Sequence, residues 1–571
     1  MKETMLNEYP RPQLKRDSYL SLNGYWDYKV SKEPIIPSSF DGKIRVPYSI
    51  ETKYAKLRNN SWKEVPPHIL MPDEYLFYHL DLVLPNDFEI KDKVILHFTA
   101  VDQIAEVFLN GELVMTHVGG FTPFELDIKP YLKDRSVDII LRVKDYSDTS
   151  YHSRGKQKID RGGIWYTPQS GIYQPVWLES VHHGYIESVK LTPDIDKSEL
   201  KILVKSGSES ATVKYLNKSE KIKTNEECIL KIDDLHLWSP EDPYLYEISI
   251  EVENDKVDSY FAMRKFSTVK DENGYLRLAL NNKPYFMKGV LDQGYYQDSS
   301  LTPRSDEDYV NDINTMKELG FNTLRKHIKV ESLRWYYHCD RLGMIVWQDF
   351  INGGETYKFK TIAFPLVFGK HHDDHNYKMF ARCNETGRKE ALNEFKDIVN
   401  YLYNVPSIGL WTIFNEGWGQ FDSKDIYQEM LKLDDTRLYD HASGWHDQGI
   451  SDTKSLHVYF KRVKMPKEKE IKGRSIILSE CGGYHLQIKG HSFSEKTFGY
   501  KKLKNKEELE NEYIKFMNLD ILPNIEKGLS AFIYTELSDV EDEHNGFLTY
   551  DRKVLKVDKN KIKAINDLAK Y

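Results

Sequence analysis

The sequence predicts two all-β domains followed by a parallel (β/α)8 barrel, and three observations carry this expectation. At 571 residues the chain is too long for a single hydrophobic core, so about three or four domains are expected. Its first half reads as short alternating apolar and polar segments punctuated by Pro, Asn and Gly, the pattern of antiparallel strands. From about residue 269 the pattern changes to strand–helix alternation, which implies parallel βα units.

The elements follow in order. Residues 1–182 are expected to form the first β domain, with strands such as Tyr75–Leu84 and Lys93–Phe98. Asn110-Gly111, between Glu106–Leu109 and Glu112–Met115, signals a type I′ hairpin, because both residues tolerate the positive φ which that turn demands. Residues 183–268 continue with strands near Leu200–Val204 and Tyr246–Glu251, a length that suits a small immunoglobulin-like sandwich. Leu237–Tyr244 would be a Pro-braced loop inside it. Residues 269–571 then hold candidate barrel strands at Phe286–Val290, Thr323–His327, Ile345–Asp349, Gly409–Asn415, Arg437–Ala442, Leu456–Phe460, Ile476–Glu480 and Ala531–Glu536. Helices are expected at Asp306–Leu319, where Thr302–Asp308 offers a capping cluster, and at Glu385–Tyr403 and Lys506–Ile525. Ile351–Cys383 lacks periodicity and is too long for an ordinary connection, so it reads as an inserted rim loop. The Lys/Glu-rich Lys461–Lys472 reads as a solvated loop.

Composition narrows the function. A formal net charge of -8 on a mixed Lys/Glu surface gives no basic patch for nucleic acid or an anionic membrane. Cys228, Cys339, Cys383 and Cys481 are scattered without a CxxC pair, which argues against structural zinc and a disulfide framework. The start of the chain has no apolar leader and no stretch approaches a membrane span, so a cytoplasmic location is expected; a trimmed signal peptide would look the same. His371-His-Asp-Asp-His375 could place metal ligands together but lies in the unpatterned insertion. It reads as a polar surface loop, and no metal or cofactor is expected.

Two glutamates are the most informative residues. Ile408–Phe414 leads into Asn415-Glu416, and Ser475–Leu478 leads into Ser479-Glu480. Both runs read as core strands of a parallel sheet, and a lone carboxylate buried at such an end would cost several kcal/mol, so a use for it is the natural inference. Strand carboxyl ends form the active rim of a barrel, and two carboxylates on different strands are what retaining glycoside hydrolysis needs.

At this level the chain resembles glycoside hydrolase family 2, the family of β-galactosidases, β-glucuronidases and β-mannosidases. The resemblance rests on an ordered set of motifs. These are Arg11-Pro-Gln-Leu with Leu22-Asn-Gly-Tyr-Trp26; Val101-Asp through Leu109-Asn-Gly to Gly119–Phe124; Ile164-Trp; and Ser170–Trp177. In the barrel they are Lys288-Gly-Val, Gly320–Arg325, Cys339–Gly343, Asn415-Glu416 and Ser479-Glu480. The resemblance implies a jelly-roll sugar-binding domain, an immunoglobulin-like sandwich and a catalytic barrel. It implies Glu416 as general acid/base and Glu480 as nucleophile, with Arg325 contacting the nucleophile and Asn415 bonding the sugar 2-hydroxyl.

Further residues at or near strand ends are candidate substrate contacts: Asp292, His327, Asp349, His457 and Tyr459, with Trp418 and Trp445 as stacking faces. His327 follows Arg325 at two residues, where many family members carry their histidine at three. Arg154, Lys156 and Gln157 lie in a polar loop that could reach the barrel mouth; a solvated surface loop is the preferred reading. Glu543 and Asn545 stand where family β-glucuronidases carry an Asn-x-Lys element for the substrate carboxylate, which disfavours that activity. The expectation is a retaining exo-β-glycosidase acting on a small oligosaccharide or glycoside, β-galactosidase-like first. β-Mannosidase, β-galactofuranosidase or arabinofuranosidase come behind, then β-glucuronidase; an inactive carbohydrate-binding protein is the non-enzyme alternative. Dimers are common among such relatives, so a homo-oligomer is a further expectation.

Overall fold

The computed structural model describes residues 6–363, 365 and 371–571. The first domain is a two-layer antiparallel sandwich. A four-stranded sheet ordered Leu20–Ser21, Val176–Val181, Lys93–Phe98, Phe124–Asp127 faces a seven-stranded sheet that runs from Arg58–Asn59 to Glu112–Val118. Alternate residues along these strands, among them Leu76, Tyr78, Leu96, Phe98, Val137, Ile139, Leu141 and Leu178, interdigitate between the layers. Asn110 and Gly111 have φ of 51° and 86°, the doubly positive turn their identities suggest.

The second domain pairs a three-stranded sheet (Ile186–Asp194, Glu199–Ser206, Glu227–Lys231) with a four-stranded one (Lys218–Lys223, Ser210–Tyr215, Tyr246–Val252, Asp255–Phe261). Its core is aliphatic and sealed by Tyr215, Tyr246 and Phe261.

The barrel strands are β1 Met287–Asp292, β2 Thr323–Lys326, β3 Ile345–Asp349, β4 Ile408–Thr412, β5 Leu438–Asp440, β6 Thr453–Val458, β7 Ser475–Gly482 and β8 Leu529–Thr535. They pair in parallel in the order β5-β4-β3-β2-β1-β8-β7-β6. Between β5 and β6 the ring is closed by Asp452 N donating to Tyr439 O (3.2 Å) and Tyr439 N donating to the Asp452 carboxylate (2.8 Å). The period-2 alternation of a strand sorts the residues. Val290, Leu324, Val346, Tyr439, Leu478 and Phe532 pack outward on helices such as Asp306–Glu318, Leu333–Leu342 and Glu385–Leu402. Met287, Leu291, Trp347, Leu410, Leu438, Ile477 and Ile533 fill the interior.

The bottom of the barrel is stopped by the hairpin Phe266–Lys270/Leu276–Leu280, whose Phe266, Leu278 and Leu280 join that interior cluster. A Cβ on Gly409 would sit 2.7 Å from the Phe266 ring, so a side chain there would expel the plug. Towards the other end the inward positions turn polar, with Arg325, Asp349, Asp440, Ser455 and Ser479 all buried.

Strand limits differ from the sequence reading where pairing extends beyond the apolar run. β6 begins at Thr453 rather than Leu456 because Thr453, Lys454 and Ser455 pair with Ser475–Ile477 through backbone bonds that need no apolar side chain. Phe460, expected in that strand, is exposed. The expected helix Lys506–Ile525 is Lys506–Phe516, a π turn Met517–Ile521 and Leu522–Ile525. Among the described residues no helix is long and apolar enough to cross a membrane.

Trp347, fully buried inside the barrel, carries the stability test. Trp347→Ala is expected to lose about 3–5 kcal/mol of unfolding free energy, measured by urea denaturation followed by circular dichroism.

Candidate active site

The two glutamates reach the barrel mouth by different local devices. Beyond β4 the chain continues through Ile413-Phe414 to Asn415-Glu416, where Glu416 N donates to Ser443 O (3.0 Å). Glu416 has a φ of 51°, a left-handed conformation that costs a non-glycine residue about 1–2 kcal/mol and clusters at functional sites. In β7 the ladder carries one extra residue. Leu456 pairs with Leu478, but His457 pairs with Glu480, so Ser479 is bulged. Such a bulge re-aims side chains. Here the Ser479 hydroxyl meets Ser443 (2.8 Å) and Ser455, while the next residue puts its carboxylate at the mouth.

One carboxylate oxygen of Glu416, one of Glu480 and one ring nitrogen of His457 lie within 4.8 Å of one another. His457 Nδ1 is 2.8 Å from Glu416 Oε1 and its Nε2 is 2.9 Å from Ser443 Oγ. The Tyr459 hydroxyl donates to Glu480 Oε2 (2.5 Å) and lies 3.3 Å from Glu416 Oε1. Arg325, fully buried, donates from Nη1 to Glu480 Oε1 (3.1 Å) and Ser479 O (3.0 Å). Its Nη2 donates to Asn415 Oδ1 (2.8 Å) and its Nε to Asp349 Oδ1 (2.9 Å). His327 Nδ1 takes the other Asp349 oxygen at 2.7 Å. Among the described residues, Asn415 Nδ2 has no hydrogen-bond partner.

This environment divides the pair. Burial pushes both carboxyls up. At Glu480 the His457 ring, the Arg325 guanidinium, His327 and the Tyr459 hydroxyl outweigh burial and hold the group at about 2. At Glu416 burial prevails over the His457 hydrogen bond, the negative Glu480 adds to it, and the pKa rises above the ordinary carboxylate value. Burial also depresses His327 despite its bond to Asp349.

Of the candidates read from sequence, Glu416, Glu480, Asn415, Arg325, His327, Asp349, His457 and Tyr459 therefore form one connected cluster. Trp418 meets His327 edge-on at 6.2 Å, and Trp445 donates from Nε1 to Glu416 O (2.9 Å). Asp292 needs correction. Its Oδ2 accepts from Lys326 (2.7 Å) and its Oδ1 from Gly294 N (2.8 Å), within a buried network shared with Glu331, so its carboxylate is committed to the interior rather than to sugar hydroxyls.

The loop Arg154–Gln157 is also corrected: it is buried, not solvated. Arg154 and Gln157 serve structural bonds, to Gly354 O and to Asp102 (2.9 Å), whereas Lys156 reaches towards the mouth, 3.8 Å from Glu543. Tyr500, stacked on Tyr459 at 4.0 Å, escapes the sequence reading because it lies on no barrel strand. Glu536, buried directly after β8, is marked by the sequence only as a strand end.

The metal question concerns two sets. Asp373, Asp374 and His375 place ligand atoms within 4.8 Å of one another, but His371 and His372 turn instead towards the His446 ring. Asp374 is bonded to Gln420 (3.0 Å) and Ser423 N (3.2 Å). Glu416, His457 and Glu480 are equally compact, and there the Arg325 cation supplies the positive charge.

Fold and site together define a multidomain barrel protein with paired carboxylates at its mouth. Three models match along the chain: glycosyl hydrolases family 2, sugar binding domain, over residues 20–181; glycosyl hydrolases family 2 over 184–264; and glycosyl hydrolases family 2, TIM barrel domain, over 269–485. The chain belongs to glycoside hydrolase family 2. It is 27% identical over 402 residues to a β-galactosidase of Thermoanaerobacter pseudethanolicus, a match covering 65% of this chain and 49% of that protein, about half its length. It is 23% identical over 453 residues to a β-glucuronidase of Streptococcus agalactiae, covering 74% and 71%. The fold matches a β-D-glucuronidase structure from Dictyoglomus thermophilum with a TM-score of 0.75 at 16% identity, covering 98% of both chains.

Removing the Arg325 charge tests the cluster. Arg325→Gln is expected to cost about 3–5 kcal/mol at neutral pH, because two buried carboxylates lose their counterion. Glu480 titrates lower folded than unfolded, so its stabilisation is complete above about 4.3 and is lost as pH falls towards about 2. The stability gap between wild type and variant, read from urea titrations, should narrow over that window.

Proposed function

We propose that the protein is a retaining exo-β-glycosidase working by double displacement, and one observation carries the reading. Two carboxylates whose pKa values are pushed in opposite directions stand together at the barrel mouth, their nearest oxygens within 4.8 Å. That is compatible with the roughly 5–5.5 Å separation of retaining pairs and short of the wider gap that an inverting water needs. Glu480, held ionised, attacks the anomeric carbon as the glycosidic C–O bond breaks. Glu416, whose pKa burial and the neighbouring Glu480 push up, gives its proton to the departing oxygen. In the second half Glu416, now a carboxylate, takes a proton from the water that attacks the anomeric carbon and releases Glu480. Asn415 Nδ2 is available to the sugar 2-hydroxyl, and Arg325 fixes that amide's orientation through Oδ1.

The sugar is proposed to be neutral, with a β-galactoside first. At the corner beside β8, Glu543 accepts from the Tyr166 hydroxyl (2.5 Å) and from Asn545 Nδ2 (3.0 Å), and it counterbalances Lys156. Burial and the nearby Glu543 push Glu536 well above the ordinary carboxylate range. A substrate carboxylate would meet a corner whose cation is already matched, which weighs against a uronic acid. The galactosidase name of the relative from Thermoanaerobacter supports this order and the Streptococcus glucuronidase opposes it.

A panel of nitrophenyl β-glycosides tests both levels. Turnover of the galactoside, mannoside or a furanoside above the glucuronide is expected, and preferred cleavage of the glucuronide would overturn the neutral-sugar assignment. Glu416→Gln and Glu480→Gln should each lower kcat/KM by at least about 100- to 10,000-fold; retained activity in either would remove its assigned role. The wild-type pH profile should keep its acidic limb low, near the Glu480 value of about 2. The basic limb, set by Glu416 above the ordinary carboxylate range, should vanish in Glu416→Gln on activated aryl glycosides.

A further inference from the structure

A row of aromatic rings begins at Trp418, whose ring meets His327 of the buried cluster at 6.2 Å. Trp418, two residues beyond Glu416, packs on Trp165 at 5.1 Å and 45°, and Trp165 packs on Tyr357 at 6.0 Å. Trp165 comes from the first domain and Tyr357 from the barrel insertion. Between these segments lies a cavity of about 210 Å³ lined by Trp165, Tyr357 and Phe359 together with Asp148, Lys158 and Thr356.

Its walls are built rather than incidental. Arg154 N donates to Asn352 O (3.0 Å), Ser153 and Gly353 form a β-bridge, and the Arg154 guanidinium lies 4.7 Å from the centre of the Tyr357 ring. The Tyr357 hydroxyl accepts from Asn352 Nδ2 (2.9 Å) and donates to Gly353 O (3.0 Å), which holds that ring in place. A platform fixed before ligand arrives spares the ordering cost of binding.

Resting on the glycosidase reading above, we propose that this two-domain cleft is the aglycone subsite and that its occupant is a second sugar ring. The departing group must leave the cluster through its mouth, and the aromatic row starts there, at Trp418 beside His327. A pyranose has an apolar C–H face and a rim of hydroxyls. Trp165, Tyr357 and Phe359 match the face, and Asp148, Lys158 and Thr356 match the rim. A purely aromatic leaving group would use the rings and leave those polar groups idle.

The test compares two substrates bearing the sugar selected by the nitrophenyl panel: its β-linked disaccharide, and its β-glycosyl fluoride, whose leaving group is a single atom. In Trp165→Ala and in Tyr357→Ala the ratio of kcat/KM for disaccharide over fluoride should fall about tenfold, and Trp165→Phe should recover part of it. A ratio that stays within about twofold of wild type in both alanine variants overturns the proposal, as does an equal loss on the two substrates. If the wild type cleaves no fluoride at all, the glycosidase reading itself fails and this subsite with it, so the two failures are distinguishable.

Discussion

The site depends on one buried cation. Arg325 has no exposed surface, and its guanidinium joins groups from three other parts of the ring: Asp349 on β3, Asn415 beyond β4, and Ser479 O and Glu480 on β7. Removing such a group from water costs several kcal/mol. A single ion pair at an effective dielectric of 20 returns about 4 kcal/mol at 4 Å, so one carboxylate would barely balance it. Two carboxylates and two carbonyl acceptors do better, and the planar five-donor fork is what lets one side chain engage all of them. A lysine could neutralise Glu480 but could not also orient Asn415 and Asp349.

From that cation follows the difference between two chemically identical residues. Glu480 is surrounded by donors on both oxygens, whereas Glu416 is buried against His457 and feels the negative charge of its partner. Environment alone pulls their pKa values apart, Glu480 down and Glu416 up, the arrangement that acid–base division of labour requires. The first domain adds to this at the mouth: it delivers Lys156 and Trp165, and the backbone bonds between 153–155 and 352–353 lock that loop to the barrel insertion.

Much of this was legible in the chain because it is written in local patterns. Eight strand candidates, the Asn110-Gly111 turn and the carboxylates ending two apolar runs all depend on residues near in sequence. What escaped depends on pairing across distance. The β7 bulge at Ser479 exists only relative to β6, and no property of Ser475–Glu480 alone announces it. Asp292 looked like its neighbours at the mouth, yet it shares the outward face of β1 with Val290, where Lys326 and Glu331 hold it in a buried network whose partners lie on other segments. The polar run Arg154–Gln157 reads as solvated by composition; its burial comes from partners some 200 residues away, such as Gly354. Tyr500 likewise reaches the site from a connection without a periodic signal.

The central claim is that Glu480 is the group that becomes covalently bonded to sugar while Glu416 handles protons. The most direct measurement is to inactivate the protein with a 2-deoxy-2-fluoroglycosyl fluoride of its preferred sugar, digest it and locate the added mass by peptide sequencing. A single adduct on Glu480 is the result the proposed mechanism predicts. An adduct on Glu416 or any other side chain would contradict it.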